Sequence, residues 1–255
     1  MIEIPPALIP IVGALLVPLL SGNARKAYLL AVSVATLAAT LVLTPGSTFT
    51  VPFLGYDLAL LHVDSLSLIV GYIFAFIGVI AIVYGMREER TGHHIAALIQ
   101  IGSGLGIVFA GDFLSLYLFW EALAVTSVAL IWYGGREDSR GAGMRYILLH
   151  IFGGGCLLGG IALQVAATGS MAVGEVAPGI SSILLLIGIG VNAAFIPLHV
   201  WLPDAYPRSS VAGGVILCVF TTKAAIYLLA RTFPGAEAVA YMGGLMVIYG
   251  VSLAL

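Results

Sequence analysis

The chain has 255 residues, of which 61% are hydrophobic and only 9% are charged, and its mean hydropathy is +1.13. Soluble domains carry about 25% charged residues, so this composition excludes a water-exposed globular protein and a disordered chain. Ten Lys and Arg residues against twelve Asp and Glu residues form no basic surface for nucleic acid. The composition therefore predicts an all-α, polytopic bundle of membrane helices.

Apolar segments of membrane-spanning length follow one another along the chain. A spanning helix needs about 17–25 mostly apolar residues. On that basis eight spans are predicted, and a ninth begins near residue 239; the eight lie near 5–21, 27–44, 64–85, 93–110, 112–133, 144–166, 181–201 and 210–232. The first segment has neither a basic leading region nor a small-residue cleavage site, so we expect a retained helix and not a signal peptide.

The basic residues of the loops alternate along this series of spans. Eight of the nine Lys and Arg residues in loops fall in the odd-numbered loops. Only Arg231 lies in an even-numbered loop, the one that follows the eighth span. Because basic loops stay in the cytoplasm, we expect a multi-pass protein of the cell (inner or plasma) membrane with its N-terminus outside. The second loop, near 45–63, contains prolines and glycines but no basic residue, which favours an outside connection.

Two charged residues remain in the middle of predicted spans. Glu121 lies in the fifth span and Lys223 lies in the eighth. A charge at the centre of a membrane helix costs about 2.5–3.5 kcal/mol, and such residues commonly face the bundle interior and handle ions. We therefore expect both to face the interior and to carry protons or ions. The alternative is a structural ion pair that joins two helices.

Histidines and a proline in or near the spans extend this candidate pathway. His150 and His199 can relay protons near neutral pH, although each could instead be held by a backbone carbonyl. In the seventh span Asn192 precedes Pro197, and a proline disrupts the helix before it. Broken helices mark ion pathways in many transporters. A simple packing kink at Pro197 is the alternative.

The sequence predicts no metal centre and no bound cofactor. Cys156 and Cys218 lie within apolar runs, which predicts small buried side chains without a disulfide or metal role. No group of His, Cys, Asp and Glu has the spacing of a metal or haem site. No redox or hydrolytic site is expected, so enzymatic activity would belong to a larger translocase or oxidoreductase complex.

Four motifs together resemble a known family. They are Val63 to Ser67, Phe119-Trp120-Glu121, Ile196 to Ala205, and Thr222-Lys223 with Tyr227. In this order they resemble the proton-conducting antiporter-like membrane subunits. That family includes the D-type subunits of multisubunit Mrp cation/proton antiporters and the antiporter-like subunits of membrane-bound hydrogenase and complex I (NADH dehydrogenase).

The resemblance implies a division of the chain and roles for its residues. Residues 1–92 would hold helices 1–3, residues 93–233 would form one inverted antiporter-like repeat (helices 4–8) with a broken seventh helix, and residues 234–255 would begin helix 9. Glu121 matches the family's glutamate on helix five, and Lys223 matches its lysine on helix eight. Protons would move along such buried charges, with His150, Asn192 and His199 hydrating or tuning the path.

The sequence departs from the family pattern in two ways. Asn192 stands where the family usually has the lysine that pairs with the glutamate, and an amide cannot carry a proton. The family has a second repeat after the eighth helix, so we expect that the chain corresponds to the N-terminal half and that a partner membrane subunit carries the second repeat.

The sequence therefore predicts a subunit that translocates H⁺, or Na⁺ and H⁺, within a multisubunit membrane complex. Its expected partners are other membrane subunits, these ions and lipid, and not nucleic acid. A non-conducting half-antiporter that docks partner subunits is the alternative. A stand-alone solute transporter is disfavoured because no substrate-sized cluster of polar residues is visible.

Overall fold

The computed structural model describes residues 4–53 and 55–254, with side chains up to residue 252. This part of the chain contains ten α-helices and a β-hairpin. The helices are α1 (Leu8–Gly13), α2 (Gly22–Leu41), α3 (Ser65–Tyr84), α4 (Thr91–Phe109), α5 (Phe113–Trp132), α6 (Ser139–Thr168), α7 (Ile180–Asn192), α8 (Trp201–Ala205), α9 (Val211–Thr232) and α10 (Glu237–Ala254). The antiparallel hairpin consists of β1 (Thr48–Phe53) and β2 (Tyr56–His62).

The predicted membrane bundle of helices is confirmed. Within the described ranges, six helices are long and apolar enough to cross a membrane: α2, α3 with its following turn, α4, α5, α6 and α9. Three shorter apolar segments, Leu8–Leu19, Ile180–Asn192 and Glu237–Ser252, coincide with the predicted first, seventh and ninth spans. The total of eight or nine spans stays a prediction.

Helix α4 lies at the centre of the bundle. Its most apolar window is 83% buried, whereas that of α2 is 28% buried. It packs against α1, α3, α5 and α9. Because α4 is enclosed by neighbouring helices, its polar side chains Gln100 and Ser103 lie in the core and not in lipid or solvent.

The loops that are expected on the cytoplasmic side meet on one face of the bundle, which we call the basic face (Arg25, Arg90, Arg145 and Arg208). Arg25 donates hydrogen bonds to Thr91 Oγ1 and the Glu89 carbonyl, at 2.7 and 2.8 Å. Arg145 and Arg208 both bind the Asp204 carboxylate at 2.7 Å. These contacts join the first connection to the third and the fifth to the seventh, in agreement with the charge alternation.

The second connection, which the sequence predicts only as a loop, forms the β-hairpin at the opposite face. Its strand β2 is fastened to the start of α5, because the Asp112 carboxylate accepts from the Ala59 amide at 2.7 Å. The same carboxylate group caps α5 by accepting from the Ser115 amide at 2.7 Å. On this face Arg231 also donates to Asp64 at 2.6 Å, which joins the end of α9 to the start of α3.

Helix α7 ends well before the predicted end of the seventh span. The sequence predicts a span near 181–201, but regular helix stops at Asn192. The Phe195 amide donates back to the Gly190 carbonyl at 2.8 Å, and the Trp201 indole donates to the Val191 carbonyl at 2.8 Å. These bonds satisfy backbone groups that the helix break frees inside the bundle, as an apolar environment requires.

Candidate functional site

Three of the predicted site residues lie at the same depth in the bundle. The ends of α6 and α9 are level at the basic face, where Ser139 Oγ donates to the Arg208 carbonyl at 2.7 Å. Glu121, His150 and Lys223 each lie about 16–18 Å from that face, at a rise of 1.5 Å per helical residue. In a hydrocarbon core about 30 Å thick, this depth corresponds to the middle of the membrane.

The Glu121 carboxyl group projects from α5 towards α6. A Cβ atom at Gly154 of α6 would overlap Glu121 Oε1 and would lie 3.2 Å from its carboxyl carbon. The absence of a side chain at Gly154 therefore leaves room for the Glu121 carboxyl group. Oε1 is buried and has no hydrogen-bond partner among the described residues. Gly154 lies one turn after His150, so Glu121 faces the side of α6 that carries the imidazole.

The His150 imidazole on α6 has one hydrogen-bonded nitrogen and one nitrogen without a hydrogen-bond partner in the described structure. The side chain is 2% exposed, and Nδ1 lies 2.9 Å from the Tyr146 carbonyl. Its ring stacks on the Tyr146 ring at 3.7 Å and meets the edge of Trp201 at 4.8 Å. Because a carbonyl only accepts, Nδ1 must donate, which leaves Nε2 with a lone pair in the neutral ring. Nε2 has no partner in the described part of the chain.

Asn192 is linked to His150 only through its neighbour Val191 and Trp201, whereas His199 packs elsewhere. Asn192 is the last residue of α7 and is 1% exposed. It follows Val191, whose carbonyl binds Trp201, the residue that contacts His150. The His199 ring instead meets Tyr249 of α10 at 4.5 Å. Pro197 lies in the connection between α7 and α8.

The expectation that Lys223 faces the interior is wrong for this chain. Lys223 lies on the exposed side of α9, because Thr221, Ala224 and Ala225 occupy the side that packs into the core. Its Nζ lies 3.7 Å from Cys218 Sγ. Cys218 is exposed and Cys156 is partly buried, so the prediction that both cysteines are buried is also wrong.

Lys223 borders an apolar cavity of about 650 Å³ on the outer surface of the bundle, which we call the Lys223 groove. It is formed by α3, α9, α10 and the end of α7, and its apolar lining includes Leu66, Ile73, Ala194, Ile226 and Met246. The ammonium group therefore lies at mid-membrane depth in an almost wholly apolar surface.

The structure adds a group of buried side chains that the sequence did not single out, here called the polar cluster (Gln100, Thr126, Ser127 and Thr221). The Gln100 amide nitrogen lies 3.0 Å from Ser127 Oγ and 3.2 Å from Thr221 Oγ1. Thr126 donates to the Gln100 carbonyl oxygen. All four side chains are buried. One feature of the sequence could have indicated this cluster, namely a glutamine (Gln100) inside a predicted span. The cluster itself forms only where three different helices meet.

Tyr146 lies between the polar cluster and His150. Its ring stacks on the imidazole, and its phenol lies near the hydroxyls of Ser127 and Thr221. The residue is fully buried, and the phenol oxygen makes no hydrogen bond within the described structure. Glu121, His150, Tyr146 and the polar cluster thus place polar groups on α4, α5, α6 and α9 within the bundle. Residues 4–53 and 55–254 contain no group of three metal-ligating side chains.

Comparisons with known sequences give a consistent assignment. The family described as "NADH:quinone oxidoreductase/Mrp antiporter, TM" matches residues 110–255. The A subunit of the Na⁺/H⁺ antiporter of Alkalihalophilus pseudofirmus is 30% identical over 72% of this chain and 25% of its own length. The A1 subunit of the Na⁺/H⁺ antiporter of Staphylococcus haemolyticus is 27% identical over 89% of this chain and 32% of its own length. The chain thus spans about a quarter to a third of these relatives.

Solved structures show the same fold. A chain of respiratory complex I from Thermus thermophilus matches 98% of this chain over 57% of its own length, with a TM-score of 0.80 and 26% identity. A chain of the Mrp complex from Dietzia sp. DQ12-45-1b matches 90% of this chain over 49% of its own length, with a TM-score of 0.74 and 22% identity. The similarity to the Mrp chain concerns the fold alone.

Proposed function

Because the chain belongs to the NADH:quinone oxidoreductase/Mrp antiporter transmembrane family, we propose that it is an ion-translocating subunit of a multisubunit membrane complex. The ion is H⁺, or Na⁺ moved together with H⁺. The observation that carries the proposal is the Glu121 carboxyl group, which lies at mid-membrane depth beside the α6 face that bears His150. Relatives named as Na⁺/H⁺ antiporter subunits support this reading.

In this proposal Glu121 and His150 exchange protons in the middle of the membrane. The Tyr146 carbonyl holds Nδ1 of His150 as a donor, so the free lone pair on Nε2 accepts the proton. Glu121 acts as the coupling carboxylate that binds and releases it. Trp201 holds the imidazole in place and is itself fixed by its bond to the broken end of α7. Asn192 and His199 hydrate or tune the path.

We assign ion translocation to residues 93–233, which form one antiporter-like repeat in this proposal. Residues 1–92 form a supporting unit, and residues 234–255 begin a further helix. The basic face lies in the cytoplasm and the N-terminus lies outside, since basic loops are retained on the cytoplasmic side. The β-hairpin then lies on the outer face of the membrane.

We further propose that the Lys223 groove is covered by a partner membrane subunit that carries the second repeat. Lys223 acts there as the relay base between the two repeats. An ammonium group that faced lipid at this depth would cost about 2.5–3.5 kcal/mol, and a polar surface of a partner would offset that cost. The matched chains of complex I and Mrp are about twice as long as this chain, which provides a segment of suitable size.

The accessibility of the Cys218 thiol tests whether a partner covers the Lys223 groove, because Cys218 is exposed and adjacent to Lys223. In a Cys156→Ser background, we expect a thiol reagent to label Cys218 in the isolated chain in detergent but not in the intact complex. Equal labelling in both samples would exclude a partner at the Lys223 groove.

The conduction proposal is tested by ion flux in vesicles that contain the intact complex. Glu121→Gln keeps the shape of the side chain but removes the titratable proton, so we expect loss of coupled flux. The matched control is Glu137→Gln, since Glu137 is an exposed acid of the basic face. Wild-type flux from a stably assembled Glu121→Gln complex would rule out the coupling role.

A second function, as a non-conducting component that docks partners, is favoured by Asn192. This uncharged residue ends α7, and none of the salt bridges among the described residues involves Glu121. The docking function predicts that Glu121→Ala and Lys223→Ala weaken assembly, while the complexes that do assemble keep wild-type flux. The conduction proposal requires loss of flux in complexes that still assemble.

A further inference from the structure

We infer that the groove between the end of α5 and the start of α6 binds one anionic phospholipid from the leaflet at the basic face. The phosphate group lies against the Arg140 guanidinium, and one acyl chain follows the groove towards the middle of the membrane. This α5–α6 groove has a volume of about 500 Å³ and is lined by Ala129, Trp132, Tyr133, Arg140 and Met144. Lipid binding there does not depend on ion translocation.

The groove opens at the depth where phospholipid headgroups lie. Helix α5 has 20 residues and ends at Trp132, so its length of about 30 Å equals the thickness of the hydrocarbon core. Trp132 is exposed, and tryptophan is enriched at the membrane–water interface. A Cβ atom at Gly143 would overlap Trp132 Nε1, which places the indole against α6 one turn after Arg140. The indole and the guanidinium therefore border the same end of the groove.

Arg140 supplies a cation that is available to an anion from the membrane. The neighbouring Arg145 binds Asp204 at 2.7 Å, whereas the exposed Arg140 takes part in none of the ion pairs among the described residues. The odd-numbered loops of this face contain eight Lys and Arg residues against five Asp and Glu residues. Basic residues at the membrane surface attract anionic lipids, and basic pockets between membrane helices bind their headgroups.

The groove continues as an apolar strip along both helices. Val125 of α5 and Ile151 of α6 lie on its side of each helix, by the helical spacings of four and seven residues from the groove lining. Both side chains are 59% exposed. From Trp132 to Glu121 the strip measures about 16 Å along α5, which is close to half of the hydrocarbon core. An acyl chain whose headgroup binds Arg140 therefore reaches the depth of Glu121.

The surface of this strip favours a lipid chain over a partner helix. Helices that pack together in membranes use small residues at the contact. Here the exposed rim carries bulky side chains, namely Trp132, Met144 and Ile151. A flexible acyl chain can fill the spaces between such side chains. The guanidinium at the headgroup end matches a phosphate group, because its planar N–H groups can donate to two phosphate oxygens at once.

Separate substitutions remove the charge and the shape of the site. Arg140→Gln removes the cation, so we expect the preference for anionic over neutral lipid to fall about fivefold, the effect of one basic residue at the membrane surface. Arg140→Lys keeps the charge and should keep most of this preference. Ala129→Leu fills the groove and should weaken the binding of both kinds of lipid. The matched control is Arg87→Gln, since Arg87 is also exposed and without an ion pair in the described structure but lies outside the groove.

The assay places the intact complex in phosphatidylcholine vesicles that contain a small fraction of phosphatidylglycerol or of phosphatidylcholine with a photoreactive acyl chain. Mass spectrometry of the crosslinked peptides then locates the adducts. We expect adducts between residues 125 and 151, about fivefold more with the phosphatidylglycerol probe. Inorganic phosphate at constant ionic strength should leave this labelling unchanged.

Three results would overturn the lipid site. The absence of adducts at the groove in the intact complex would show that a partner subunit covers it. Equal labelling by the two probes, or equal effects of Arg140→Gln and Arg87→Gln, would show that the headgroup makes no specific contact with Arg140. Loss of labelling in the presence of inorganic phosphate would assign the site to a free anion instead of a lipid.

Discussion

A methyl group at position 154 tests whether the placement of the Glu121 carboxyl group is essential. In Gly154→Ala the added carbon would overlap Glu121 Oε1 and lie 3.2 Å from the carboxyl carbon, so the side chain must turn away from α6. A side chain forced away from its preferred rotamer costs about 0.5–1.5 kcal/mol. Alanine in a helix gains about 0.5–1 kcal/mol over glycine. The two terms offset each other, so we expect the free energy of unfolding to change by less than about 1 kcal/mol.

Ion flux is expected to respond much more strongly than stability. A displacement of about 1 Å at a reacting group can lower a rate about 100-fold, so we expect the flux of Gly154→Ala to fall between about tenfold and 100-fold. The matched control is Gly155→Ala, because no described atom lies within 4 Å of a Cβ at Gly155. Both variants are compared by thermal unfolding in detergent and by proton flux in vesicles.

A compensating substitution identifies the cause of the loss. Glu121→Asp shortens the side chain by one methylene group and makes room for the added methyl group at position 154. We expect the double variant to recover part of the flux that Gly154→Ala loses. Equal flux in the Gly154→Ala and Gly155→Ala variants would refute the reasoning that the α6 surface positions the carboxyl group.

Further predictions concern the helix ends and the loops. Asp112→Ala removes the acceptor that caps α5 and holds the hairpin, so chemical unfolding should show a loss of about 1–3 kcal/mol. Trp201→Phe leaves the Val191 carbonyl buried without its donor, and a similar loss of about 1–3 kcal/mol in unfolding free energy is expected, together with lower proton flux. The hydrogen bond from Arg90, opposed by partial burial, lowers the pKa of Glu88 from 4.5 to about 2. Its stabilising contribution is therefore present above pH 4.5 and is lost as the pH falls towards 2, and thermal unfolding of Glu88→Gln should lack this component.

The pattern of charge and hydropathy was sufficient to predict the membrane bundle and the grouping of its loops. Each of these features is local: a span is recognised by its own apolar length, and a basic loop by its own residues. Glu121 and His150 could be selected for the same reason, since an ionisable residue inside an apolar segment is costly wherever it faces. Arg25 and Arg208 likewise fall on one face because the number of spans between them is even.

Which residues share a site could not be read from the sequence, because this depends on how the helices are rotated and packed. The side of α9 that carries Thr221 turns inwards and the side that carries Lys223 turns outwards, although both residues lie in the same apolar span. The weak amphipathic pattern of a membrane helix does not distinguish these two sides, since lipid and protein interior are both apolar.

The sequence by itself determined that this protein is a helical membrane subunit with Glu121 as an intramembrane acid. Only the tertiary structure decided that this acid faces the His150 side of α6 at Gly154, that Gln100, Ser127 and Thr221 meet in the core, and that Lys223 lies on an open surface. The physical reason is that composition and hydropathy fix which segments enter the membrane. Close contacts between helices, set by small residues such as Gly154, fix which polar groups lie together.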